Sequence, residues 1–265
     1  MKNLLYIEWQ KLKWPIIISL VVGTVIAAFL TTSIYKGYAL EEQLEVWEVG
    51  FSFINFIFPI IAVVPTCWLL YFERKNGYLK YTMPRVGKKK YLLAKWIVVS
   101  GSSFITMFVM SFSSIIIALY MVSPIDVIYT LVDPSTGEVG PRMMQTHIAP
   151  ELFTQQPLLY GLLLSLWKGF LSLIMATMGF VFSLYSQNLF VILTGPFIYS
   201  ILENFTLSIL KLEKYRLVTA FEPTLLMVDV ISIGSFIVGP VIAIMTCGIY
   251  ILYKKYKQKE HIYVM

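Results

Sequence analysis

Residues 51–72 read FSFINFIFPIIAVVPTCWLLYF, and residues 73–95 follow at once as ERKNGYLKYTMPRVGKKKYLLAK. The first stretch holds no charge and is long enough to cross a bilayer core of about 30 Å, which needs about 20 apolar residues in a helix. The second holds eight basic residues and a single acid, Glu73. An uncharged run ending in a basic segment predicts a membrane helix whose last turn meets the side of the membrane that collects Lys and Arg.

Working outward, five more apolar runs appear, over about 15–35, 96–122, 158–185, 189–210 and 231–253. Six unbroken runs predict an all-α membrane protein with six transmembrane helices. A β-barrel would instead show alternating segments of about ten residues. Pro15 is expected in the first turn of span one, where its missing N–H is not needed. Composition agrees: 58% of the 265 residues are hydrophobic and 14% are charged, against roughly 25% charged in soluble domains. Two cysteines within apolar runs exclude a disulfide framework, and two histidines with no Cys/His cluster argue against structural zinc. No internal repeat is evident, and the chain reads as one membrane domain.

With the N-terminus inside, the inner segments 1–14, 73–95, 186–188 and 254–265 carry 15 of the 21 Lys and Arg. Both termini are therefore expected in the cytoplasm. The net charge of +6 becomes an orientation signal, and nucleic acid is excluded as a partner; membrane lipid is the expected surrounding. The first run is longer than the roughly 7–15 residues of a signal-peptide core, so no cleavage is expected.

Residues 3–14, NLLYIEWQKLKW, place Leu5, Trp9 and Leu12 on one helical face and charge Glu8, Lys11 and Lys13. They predict a short amphipathic helix in the inner interface. Glu41, Glu45 and Glu48 share a helical face in the outer segment 36–50, which predicts a solvated amphipathic helix. The outer loop 123–157 carries turn signals at Asp133-Pro134-Ser135-Thr136-Gly137 and Gly140-Pro141. A short hairpin or small extracellular cap is expected there, with His147 on its surface; His261, in the tail, receives no role.

The order of these parts resembles the membrane subunits of ABC type-two transporters. An interfacial helix precedes a hydrophobic hairpin, the second span ends in E-R-x-x-G, and a proline and a basic residue follow before span three: Glu73, Arg74, Gly77, Pro84 and Arg85. Phe221-Glu222-Pro223-Thr224-Leu225-Leu226, before the last span, resembles the family's proline-containing turn. The resemblance implies a permease, with the loop after span two as a coupling helix on a cytoplasmic ATP-binding cassette ATPase. Glu73, Arg74, Gly77, Tyr78, Pro84 and Arg85 would then carry that contact. It further implies a second permease copy or a paralogue, and an exported substrate such as an amphipathic or antimicrobial peptide, or a drug.

The chain has no G-x-x-x-x-G-K-[ST] phosphate loop. It is therefore read as a transport subunit and not an enzyme, binding no cofactor itself, with ATP and Mg on the partner. The alternative is an ATP-independent secondary transporter, which needs intramembrane acids for ion coupling; Glu203 alone qualifies. An intramembrane enzyme would need clustered catalytic groups, and no span contains a histidine.

Inside span four, Ser165, Gly169, Ser172, Ala176, Gly179, Ser183 and Ser186 recur in steps of four and three. This is one stripe of small residues, expected to meet another helix along its length. Lys168 and Glu203 lie at similar depth on consecutive antiparallel spans. Two readings stand: an intramembrane ion pair, or two side chains snorkelling to the outer interface. Pro59, Pro65, Pro196 and Pro240 are expected to kink their helices.

Overall fold

The computed structural model describes residues 1–128, 131–132, 139–140 and 146–259. Among them are six helical stretches long and apolar enough to cross a membrane. The first is α1, Lys2–Ile34; the second is α2, Glu45–Val63, continued by α3, Trp68–Lys75. A short helix α4, Tyr78–Val86, leads into α5, Lys88–Tyr120, the third span. In the loop expected on the outer side, β1, Leu131–Val132, pairs antiparallel with β2, Val139–Gly140, and a short α6 spans Pro150–Gln155. Then come α7, Pro157–Tyr185, α8, Leu189–Ile209, a five-residue α9, Leu217–Phe221, and α10, Ile233–Lys259. The chain is an all-α membrane protein. The pairing of β1 with β2 fits the expected hairpin, whose turn at 133–137 and whose Pro141 lie outside the described residues, as does His261.

Residues 3–14 do not form a separate helix. They are continuous with span one, so Pro15 sits well inside α1, where it leaves the carbonyl of Lys11 without its usual amide partner. In span two Pro65 falls in the turn Val64–Cys67 that separates α2 from α3, and the Trp68 indole donates to its carbonyl (3.1 Å). Pro59, Pro196 and Pro240 lie inside continuous helices.

Helices α2, α5 and α7 form the interior, and α1, α8 and α10 leave most of their apolar surface uncovered, as lipid-facing helices do. The small-residue stripe lies inside this subunit but serves two neighbours. Its outer half meets α5: Ser165 and Ser172 share hydrogen bonds with Ser111 (2.9 Å) and Ser103 (2.7 Å), and a Cβ on Gly169 would stand 3.1 Å from the Phe104 carbonyl oxygen. Its inner half meets the α2–α3 junction, where Gly179 lies against Val63 and Cys67, and the Cys67 thiol donates to the Ala176 carbonyl (3.6 Å). Ser183 is buried and bonds its own helix at Phe180.

The outer segment 36–50 is not a solvated helix. Residues 41–44 are bends and turns, α2 begins at Glu45, and Glu41, Glu45 and Glu48 are all buried. Glu45 accepts from the Glu41 amide (2.7 Å), and Gln43 donates to the Ala118 carbonyl (2.8 Å). Partial burial, followed by the charges of Glu45 and Glu41, raises the Glu42 carboxyl above its ordinary value. The carboxylates are drawn inward because the outer segments pack on each other: the Ile128 amide donates to the Leu40 carbonyl.

Candidate functional site

Two buried polar centres stand at opposite ends of the bundle. The inner one joins α1, α3 and α5. Lys95 is 1% exposed and bonds Glu8 at 2.6 Å and Glu73 at 2.7 Å. Lys11 bonds the other oxygens of the same two carboxylates, at 2.8 and 2.9 Å. Two cations and two anions thus close a ring, and the Tyr91 hydroxyl adds a 2.6 Å bond to Glu73. Every carboxylate oxygen of the ring is satisfied, the condition under which buried charges are tolerated. The Lys11 ammonium also lies 4.6 Å from the Tyr78 ring centroid, which ties the start of α4 to the knot.

Of the residues that the ATPase resemblance singled out, two point inward. Glu73 is consumed by the knot. Arg74 donates to the carbonyls of Leu184 (2.9 Å) and Ser186 at the end of α7, capping groups that the helix leaves unpaired. Gly77 and Gly87, at φ +72° and +85°, adopt the left-handed turns that set α4 apart from its neighbours. Between them α4 packs Leu79 on the core and turns Tyr78, Tyr81 and Arg85 outward; Tyr81 is 75% exposed. Pro84 lies within α4, its side chain outside the described residues.

At the outer end Lys168 is paired, but with Glu222 (2.7 Å) and not with Glu203. It is 0% exposed, so it does not snorkel either. Its ammonium sits 4.5, 4.7 and 4.9 Å from the rings of Trp47, Phe51 and Phe221, a cage whose faces attract a cation. Glu203 accepts the Leu217 amide on both oxygens (3.0 and 3.2 Å), at the N-terminus of α9. Next to Lys168, the Trp167 indole donates to the Ala220 carbonyl (2.9 Å) near the C-terminus of α9.

The two charges therefore bracket α9 instead of meeting: an acid at its amide end, a cation at its carbonyl end, as a helix dipole favours. With Leu217, Ala220 and Phe221 buried, the connection between spans five and six folds back among the helices. The proline turn expected there is the 3-10 turn Pro223–Leu225.

His147 is likewise buried and not a surface residue. Its Nε2 lies 2.9 Å from Glu48 Oε2, its Nδ1 2.9 Å from the Thr146 hydroxyl, and its ring stacks on Phe153. Sequence reasoning passed over Glu8, Lys95, Glu48 and Glu222 as paired groups. One signal existed: Glu73 is the lone acid among eight basic residues, and Glu8 is the only acid within 1–14.

Residues 4–136, half of the chain, match the sequence model of the ABC-2 family transporter proteins. The match runs from α1 through β1 and so includes the inner knot and α4. No curated protein and no solved structure matches the chain.

Proposed function

The chain belongs to the ABC-2 family of transporter proteins, and we propose that it is the permease subunit of an exporter driven by ATP hydrolysis on a separate cytoplasmic subunit. The membrane subunit of an ABC transporter is a multi-pass protein and not itself an ATPase. On our reading α4 is the docking element for that ATPase, and Tyr78, Tyr81 and Arg85 make the contact. Glu73 and Arg74 act behind it, holding α4 against α1, α5 and α7. The observation that carries this reading is an exposed short helix, set between two left-handed glycines, directly below a buried ionic knot within the family match.

The topology that goes with it puts α4 and both termini in the cytoplasm of a bacterial cell. The uncovered faces of α1 and α8 would receive a second permease copy or a paralogue. The substrate class that fits the resemblance is an amphipathic peptide, antimicrobial peptides included, or a drug.

The test is co-expression with the ATP-binding cassette ATPase encoded beside this chain. The complex is expected to co-purify and to hydrolyse ATP. Tyr81→Ala with Arg85→Glu should lose the ATPase while the permease keeps its thermal midpoint. A chain that purifies alone under gentle conditions, or a variant that binds undiminished, sinks the docking assignment.

A further inference from the structure

A groove of about 400 Å³ runs between α1 and α5 on the outside of the bundle, lined by Tyr6, Trp9, Ile97, Gly101 and Ile105 among others. Its walls are apolar and aromatic. Gly101 opens its middle: a Cβ there would meet no atom within 4 Å. The two helices run parallel and in register, because Glu8 meets Lys95 and Gly23 lies against Met110, each pair 87 residues apart. Lys2 is therefore level with Lys89, and Lys2, Lys88, Lys89 and Lys90 are all exposed at the ends of α1 and α5 where the groove begins, with Lys90, eleven residues before Gly101, on the same face of α5 as that glycine.

Among the described residues no carboxylate pairs with any of these four, whereas Lys11, Lys95 and Lys168 are all paired. Three of them stand in the first turn of α5, which has no side-chain cap and no acid. Positive charge there opposes the helix dipole. An anionic group would relieve that repulsion and take up free backbone amides. From Lys90 to Ile97 the rise is about 10 Å, so the charges lie at headgroup level when the groove holds acyl chain. Tyr6 and Trp9 stand between, where aromatic side chains mark a membrane interface.

We propose that this groove binds one anionic phospholipid, its acyl chain over Gly101 and its phosphate at the first turn of α5 beside Lys90 and Lys2, with Lys88 and Lys89 adding positive charge around it. The leaflet follows from the topology proposed above; the binding itself does not depend on an ATPase partner. A second copy of the chain fits less well, since the apolar walls end in a cluster of like charges that a two-fold contact would bring together.

The experiment is native mass spectrometry of the delipidated full chain in detergent, titrated with phosphatidylglycerol and with phosphatidylcholine of the same acyl chains. The wild-type chain is expected to prefer phosphatidylglycerol by at least about tenfold, given the attraction of each lysine for an anionic surface. The triple change Lys88→Gln, Lys89→Gln, Lys90→Gln should bring the two lipids to near parity, and the triple change to Arg should keep the preference. Gly101→Phe starts from a Cβ that meets no atom within 4 Å and carries its ring into the groove, so it should weaken both lipids about tenfold at an unchanged thermal midpoint. Equal affinity of the wild-type chain for both lipids overturns the proposal, as does undiminished binding to Gly101→Phe. A Gly101→Phe chain that dissociates from dimer to monomer with its lipid binding intact assigns the groove to a second copy. Loss of the ATPase in the Gln triple, with lipid preference retained, assigns the lysines to an acidic protein surface.

Discussion

The inner and outer polar centres solve the same problem in opposite ways. At the inner end two lysines and two glutamates satisfy one another in a closed ring, and the ring fastens three helices together. At the outer end Lys168 and Glu203 are satisfied separately, one by a carboxylate and three aromatic rings, the other by a backbone amide. What they hold is the five-residue α9, strung between spans four and five. A ring of mutual charges resists relative movement of all its members. A bracket lets one short element be released by breaking one end. The inner end is thus fastened as one unit, and the outer end holds a small segment in place.

The sharpest way to break this contrast is to remove a shared charge from the ring. Lys95→Met leaves Glu8 and Glu73 facing each other with only Lys11 between them. Breaking a buried ion pair by deleting one partner costs about 3–5 kcal/mol, and Lys95 serves two partners, so the loss should sit at or above the top of that range. Thermal unfolding in detergent measures it. A loss near 1 kcal/mol would mean that the ring is not the fastening we describe.

The outer bracket should respond differently to repair. Lys168→Met strands one buried carboxylate and should also cost about 3–5 kcal/mol. Adding Glu222→Gln removes that stranded charge and should recover most of the loss, since an ion pair replaced as a whole is often close to neutral. Swapping the charges of Lys168 and Glu203 should not rescue either single variant, because the two do not touch. Rescue by that swap would restore the pairing suggested by their matching depth.

That suggestion shows where the sequence could be read and where it could not. Unbroken apolar runs set the six spans, because each span obeys a local rule about length and hydropathy. The helix from Pro157 to Tyr185 lies almost where its apolar run lies. The ends of α1 and α5 were less legible. Both helices continue through charged turns, because Glu8 and Lys95 neutralise each other across 87 residues, a distance no hydropathy window spans. For Lys168 and Glu203 the reasoning that an intramembrane charge needs a partner held. The partner's identity did not follow, since the fold-back of α9 brings Glu222 and the Leu217 amide between two spans that sequence order makes neighbours. His147 failed for the same reason: its partner is Glu48, and nothing local marks either as buried.

Glu203 sharpens the contrast at lower cost. It accepts one amide and makes no ion pair within 4 Å among the described residues, so Glu203→Gln keeps an oxygen for Leu217 and should lose only about 1 kcal/mol. Glu203→Leu leaves the amide unsatisfied and should lose about 1–3 kcal/mol. Equal losses for Gln and Leu would show that charge, not acceptance, is what α9 requires.

Arg74 gives the smallest expected effect and separates the inner knot from its surroundings. It belongs to the same E-R pair as Glu73, yet it bonds only the carbonyls at the end of α7. It is partly exposed, and water can replace it at those carbonyls, so Arg74→Gln should cost about 0.5–1.5 kcal/mol, the net worth of an ordinary hydrogen bond. Combined with Lys95→Met, its effect should add, since the two share no partner. Double-mutant thermal unfolding reads this directly. A coupling above about 0.5 kcal/mol would extend the knot to the end of α7 and make four helices, not three, the fastened unit.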